Sequence, residues 1–94
     1  MTSNINSDNI LVDKIYAYRD ALGNSCDLYL GYQSFQPSRK KAPCWMAKGN
    51  LIPFPVYNGT WFIGLPVGQM HHFMECAGYK LVTVIKNVNL TDPF

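Results

Sequence analysis

The spacing of large apolar residues divides this chain into short alternating and helical stretches separated by proline- and glycine-rich breaks. Leu11, Ile15, Tyr18 and Leu22 recur at intervals of four, three and four, which places them on one helical face. Ser7 or Asp8 stands before that run as a cap and Gly23-Asn24 after it as a stop, so the pattern predicts a helix over about 8–22. The competing reading is a strand through Ile15 and Ala17 that turns at Gly23-Asn24. From Cys26 to Phe35 the pattern is extended, with Cys26, Leu28, Leu30 and Tyr32 on one side and Asp27, Tyr29, Gly31 and Gln33 on the other.

Further strands are predicted at Cys44–Ala47, at Trp61–Leu65 after a turn at Tyr57-Asn58-Gly59-Thr60, and at Tyr79–Lys86, which is rich in β-branched residues. A second helix is predicted over 66–77. Pro66 suits an early helical position, Val67, Met70, Met74 and Ala77 keep the helical spacing, and Gly78 ends it. The expectation is an α+β fold: a single small domain over 1–94, with a three- to four-stranded, mainly antiparallel sheet, two helices, and flexible tails at 1–7 and 88–94. Helices on one face of such a sheet leave the other face wet or occupied.

The longest stretch without a formal charge runs from Gly49 to Met74. Its prolines (Pro53, Pro55, Pro66) and glycines break it, so it lacks the roughly 20 consecutive apolar residues of a membrane helix. Each of those prolines is also open to a cis or a trans bond. Within the stretch, Ile52-Pro53-Phe54-Pro55-Val56 resists regular pairing because proline has no amide to donate. A segment fixed in this way loses little entropy on binding and can present anchors. Residues 44–74 also carry the Trp, Tyr, Phe and Met of an interface centre.

Charge adds direction to this picture. Charged residues are 15% of the chain against about 25% in typical domains, and aromatics are 14%, the reverse of a disordered chain. Every charge from Leu28 to Met74 is basic (Arg39, Lys40, Lys41, Lys48), a net of +4, whereas the first 27 residues have a net of −2. Arg39, Lys40 and Lys41 read as a solvated turn between prolines, or as a patch that steers an acidic partner. With Tyr32, Phe35 and Trp45 nearby, the same run supports an alternative reading as a nucleic-acid-binding module that uses cations and stacking aromatics.

Candidate chemistry is sparse. His71-His72-Phe73-Met74-Glu75-Cys76 is the one dense group of reactive side chains, and on a helix His72 and Cys76 lie four apart. They form a thiol or two-ligand metal candidate that Cys26 and Cys44 would have to complete from distant segments. A cysteine–histidine nucleophilic pair lacks a nearby orienting acid, and no glycine-rich phosphate loop or paired carboxylates are present. The expectation is therefore a non-enzyme without a cofactor. Three cysteines and no signal-peptide pattern suggest reduced thiols and a cytoplasmic location.

The reading that joins these observations is a small protein-binding module. Its binding residues are Ile52, Phe54, Val56, Tyr57 and Trp61, with Arg39, Lys40 and Lys41 assisting. The partner is a larger protein or complex, itself open to association with nucleic acid, and self-association is a further outlet for the same apolar surface. One short domain, no catalytic set, abundant aromatics and an uneven charge layout together resemble the accessory proteins with which bacteriophages inhibit or redirect host enzymes and defence complexes. The resemblance is one of general character and carries no motif. It implies action in the host cytoplasm, with a nuclease complex as one such target.

Overall fold

The computed structural model describes residues 10–33, 42–53, 56 and 58–86. They form one five-stranded antiparallel sheet and one helix. The strands are β1 (Ile10–Asp20), β2 (Ser25–Gln33), β3 (Cys44–Gly49), β4 (Phe62–Ile63) and β5 (Tyr79–Lys86), and helix α1 (Val67–Cys76) lies between β4 and β5. Their spatial order is β4-β3-β2-β1-β5. The first three strands form a meander, β4 adds to one edge, and the chain crosses through α1 to place β5 on the other. The two predicted tails lie outside the described residues.

The helix expected over 8–22 is instead β1. On the helical reading Leu11 and Leu22 should be buried, yet they are 42% and 88% exposed. The residues that are buried are Ile10, Val12, Tyr16 and Tyr18, all at even positions and all β-branched or aromatic. Gly23 does not stop a helix. It takes φ 88° in the turn between β1 and β2, where the Asp20 carboxylate accepts the backbone N–H groups of Leu22 and Asn24 and the Asn24 side-chain amide. These bonds, that of the Asn24 side chain first, hold the Asp20 carboxyl below its usual range. Replacing the first helix by a strand accounts both for the one helix and for the fifth strand.

The other elements follow the sequence pattern, except that the strand expected over Trp61–Leu65 is confined to Phe62–Ile63. In β2, Cys26, Leu28 and Leu30 are buried and Tyr32 packs against them, as the alternation predicts. Helix α1 has no side-chain N-cap and no charge complementing its dipole, so packing rather than capping holds it, through the buried Met70 and Met74. Gly78, at φ 94°, closes its C-terminus by donating its N–H to the Glu75 carbonyl at 3.0 Å. No helix among the described residues is long and apolar enough to cross a membrane.

Both faces of the sheet bury side chains. Beneath α1 lie Tyr16, Tyr18, Cys26, Leu28, Leu30, Trp45, Ala47, Phe62 and Tyr79. The opposite face buries Ile10, Val12, Cys44, Met46 and Trp61. Strand β1 serves both, because its register with β2 shifts between Val12 and Lys14. Val12 pairs with Gly31, on the face of Cys44, whereas Tyr16 pairs with Leu28, on the face of the helix. Gly31 leaves the space that Trp61 uses. A Cβ there would stand 2.6 Å from Ile10 Cγ2, 3.0 Å from the Leu11 carbonyl oxygen and 3.1 Å from Trp61 Cη2.

Substitution at Gly31 should therefore cost stability in a way that substitution at Gly68 does not. Gly31→Ala is expected to lose about 1–3 kcal/mol through overpacking. Gly68→Ala, on the exposed start of α1 with open space around its Cβ, should gain up to about 1 kcal/mol by stiffening the unfolded chain. Urea denaturation of the two variants beside the parent protein checks the contrast in sign.

Candidate functional site

Where the chain passes from β4 into α1 it borders an apolar groove of about 380 Å³, lined by Val56, Phe62, Ile63, Gly64, Leu65, Met70 and Phe73. Three segments converge to build it. Trp45 of β3 anchors the junction: its indole is fully buried and its Nε1–H donates to the Leu65 carbonyl at 2.8 Å. Gly64 lets the chain pass close by, since a Cβ there would lie 2.6 Å from Trp45 Cδ1 and 2.9 Å from Phe62 Cε2. Val56 arrives from the proline-spaced segment and donates its N–H to the Pro53 carbonyl at 2.9 Å. Gly59, at φ 76°, ties the following turn to β3 by donating its N–H to the Ala47 carbonyl at 2.7 Å.

Phe62 and Met70 form the buried floor, Phe73 is half-buried, and Leu65 and Ile63 stand 43% and 49% exposed at the rim. No side chain in this lining carries a polar or titratable group. The arrangement can accept apolar side chains from outside, and it offers nothing to orient a polar small molecule.

Of the residues expected to bind, Val56 lines this groove and is itself buried. Ile52 is half-buried against the same core, where the nearby Leu51 carbonyl accepts the Tyr79 hydroxyl at 2.6 Å. Trp61 is elsewhere, in the cluster on the opposite face over Gly31. Phe54, Tyr57, Arg39, Lys40 and Lys41 lie outside the described residues. Leu65, Phe73 and Met70 complete the groove without having been singled out as binding residues. The available signal was an apolar residue immediately before Pro66 and a helical position three beyond Met70.

Tyr16, Tyr18 and His71 meet beneath α1. The Tyr18 hydroxyl hydrogen bonds with His71 Nδ1, and Tyr16 meets the same imidazole edge-on at 4.5 Å between centroids. Burial raises the Tyr18 and Tyr16 hydroxyls above their ordinary range. This contact fixes the helix over β1, in the interior of the fold. On the outer side of the helix, Cys76 Sγ and His72 Nε2 are 3.4 Å apart and exposed. Cys26 and Cys44 are buried on opposite faces of the sheet, so neither reaches that pair, and the described residues gather no three potential metal ligands in one place.

Comparison with known proteins finds no family model, no curated relative and no solved structure that matches the chain.

The buried thiol and hydroxyls make stability sensitive to alkali. Burial pushes the Cys26 thiol up to about 11 from 9.0, and raises Tyr79 in the same sense as Tyr16 and Tyr18. The unfolded chain releases these protons first. The contribution is thus fully present below about pH 9 and is lost as pH rises towards 11 and beyond. The urea midpoint should be level from neutrality to about pH 8.5 and fall steadily above about pH 9. A chromogenic disulfide reagent should label Cys76 rapidly in the native protein, and Cys26 and Cys44 only on unfolding.

Proposed function

We propose that this protein is a non-enzymatic protein-binding module, whose apolar groove between β4 and α1 receives apolar side chains of a larger partner. The observation that carries the reading is the lining of that groove: apolar throughout, open to solvent, and rimmed by Leu65 and Ile63. Its volume of about 380 Å³ suits a few side chains. A pocket for a small polar ligand or substrate relies on a few placed polar groups to orient it, and the lining supplies none. The hydroxyls and the thiol with raised pKa belong to the packed interior under α1 instead, where burial is the leading cause of each shift. Interface centres favour aromatic residues and methionine over charge, which agrees with Phe62, Phe73 and Met70 in this position.

A modulator of this kind acts by occupying a surface of its target. The basic run Arg39-Lys40-Lys41 would raise the rate of encounter with an acidic target more than the final affinity, and salt would weaken that contribution.

The expected outcome of Leu65→Asp is loss of a specific partner in affinity capture from the source cell, with an unchanged far-UV circular dichroism spectrum. A carboxylate at the rim would be desolvated on docking, which should lower affinity by at least about tenfold. Phe73→Ala should weaken capture in the same direction. Undiminished capture by both folded variants would show that the partner sits on another surface.

A further inference from the structure

Among the described residues, strand β5 forms the edge of the sheet opposite to the groove, paired on one side with β1. Natural edge strands are usually kept short, or interrupted by charge or proline, because free backbone groups recruit another strand. This edge runs for eight residues, about 27 Å, and carries its charges only at Lys80 and Lys86. The five residues between are uncharged, and Leu81, Val82 and Ile85 are 46%, 59% and 49% exposed. We propose that β5 pairs antiparallel with β5 of a second copy of this chain about a two-fold axis, which makes a continuous ten-stranded sheet.

The register of the strand argues for a second copy as its occupant. In an antiparallel pair, residues opposite each other point to the same face. In a regular strand, centring the two-fold on Thr83 would set Lys80 against Lys86 of the other copy, two like charges directly opposed. Strand β5 is not regular: its pairing with β1 shifts by one residue at Val82, so that Thr83 faces Ala17 and Leu81 faces Tyr18. Leu81 and Val84 consequently share the helix-covered face, opposite Tyr18 and Tyr16, while Lys80 and Ile85 share the other, opposite Arg19 and Ile15. A two-fold midway between Val82 and Thr83 then matches the faces of the residues that flank the shift. It sets Leu81 opposite Val84 of the second copy, Lys80 opposite Ile85, and Tyr79 opposite Lys86, with no like charges in register.

The same register brings opposite charges together. Beside Tyr79 lies a hollow of about 570 Å³ lined by Glu75, Gly78, Tyr79, Lys80 and Leu81. Lys86 of the second copy, placed opposite Tyr79 on the helix-covered face, reaches this hollow next to the Glu75 carboxylate. Lys80 is directed to the other face. Two-fold symmetry repeats the pair, as an isologous interface requires. A single strand edge buries less than the roughly 800 Å² per partner of a standard interface, so the dimer is weak and its population depends on concentration.

Sedimentation velocity of the intact protein over about a hundredfold range of concentration should show monomer passing to dimer. Val82→Lys, which brings an ammonium group to each side of the axis, should remain monomeric throughout with an unchanged circular dichroism spectrum. Lys86→Glu should weaken the dimer about tenfold, and the exchanged pair Glu75→Lys with Lys86→Glu should recover most of that loss. Recovery is the result that reports the register. A parent protein that stays monomeric at the highest concentration would overturn the proposal. So would a dimer that Val82→Lys leaves intact, or one that Leu65→Asp dissociates, since that dimer would use the groove. Capture of a different protein that Val82→Lys abolishes, from a monomeric parent, would assign the edge to a heterologous strand. Because β5 and the groove lie at opposite edges, loss of either proposal leaves the other standing.

Discussion

The buried indole of Trp45 fixes the relation between the sheet and everything that lies against it. Among the described residues it is the largest side chain with no exposure, and its one polar atom is satisfied by the Leu65 carbonyl. An indole N–H left without an acceptor in that position would cost about 1–3 kcal/mol, so the chain after β4 is held to one path. That path requires Gly64, sets Pro66 at the N-cap of α1, and gives the groove its floor. Tyr16 lies tilted against the same indole, 6.3 Å between centroids, and passes the packing on to His71 of the helix. The helix needs this support because its own termini contribute little.

The two surfaces discussed above have different physical characters. The groove is made of side chains, and its selectivity lies in shape and apolar area. The β5 edge is made of backbone, and its selectivity lies in register and in the placing of two lysines. They occupy opposite edges of one sheet, so occupation of one leaves room at the other. A dimer through β5 would carry two grooves on a single rigid sheet, and a partner with repeated sites would then be bound with an effective concentration set by their separation.

Much of this fold was legible in the chain. The alternation in β2, the helical spacing after Pro66, Gly78 as the end of that helix and the β-branched run of β5 each follow from a local rule. β1 escaped those rules because it buries residues on both faces. Leu11, Ile15 and Ala17 fill the odd positions with apolar side chains, and the resulting pattern coincides by chance with a helical repeat. The groove was half legible. Val56 and the helix could be read from the proline spacing and the period, but the convergence of Leu65 and Phe73 on them depends on the crossing from one sheet edge to the other, a tertiary event with no local signature. Trp61 shows the converse. An aromatic residue beside the proline-spaced segment looks like an anchor, and only the missing side chain at Gly31 reveals where it rests.

The shift at Asp13 gives β1 a part in how the protein comes apart. A strand that contributed to one cluster alone would let the other loosen independently, and the sheet could open in two stages. Here Ile10 and Val12 hold one cluster and Tyr16 and Tyr18 the other, along a single unbroken backbone. Detaching β1 exposes both interiors together. The two clusters thus belong to one cooperative unit, and the amides at the centre of β1 and β2 open to solvent exchange through global unfolding.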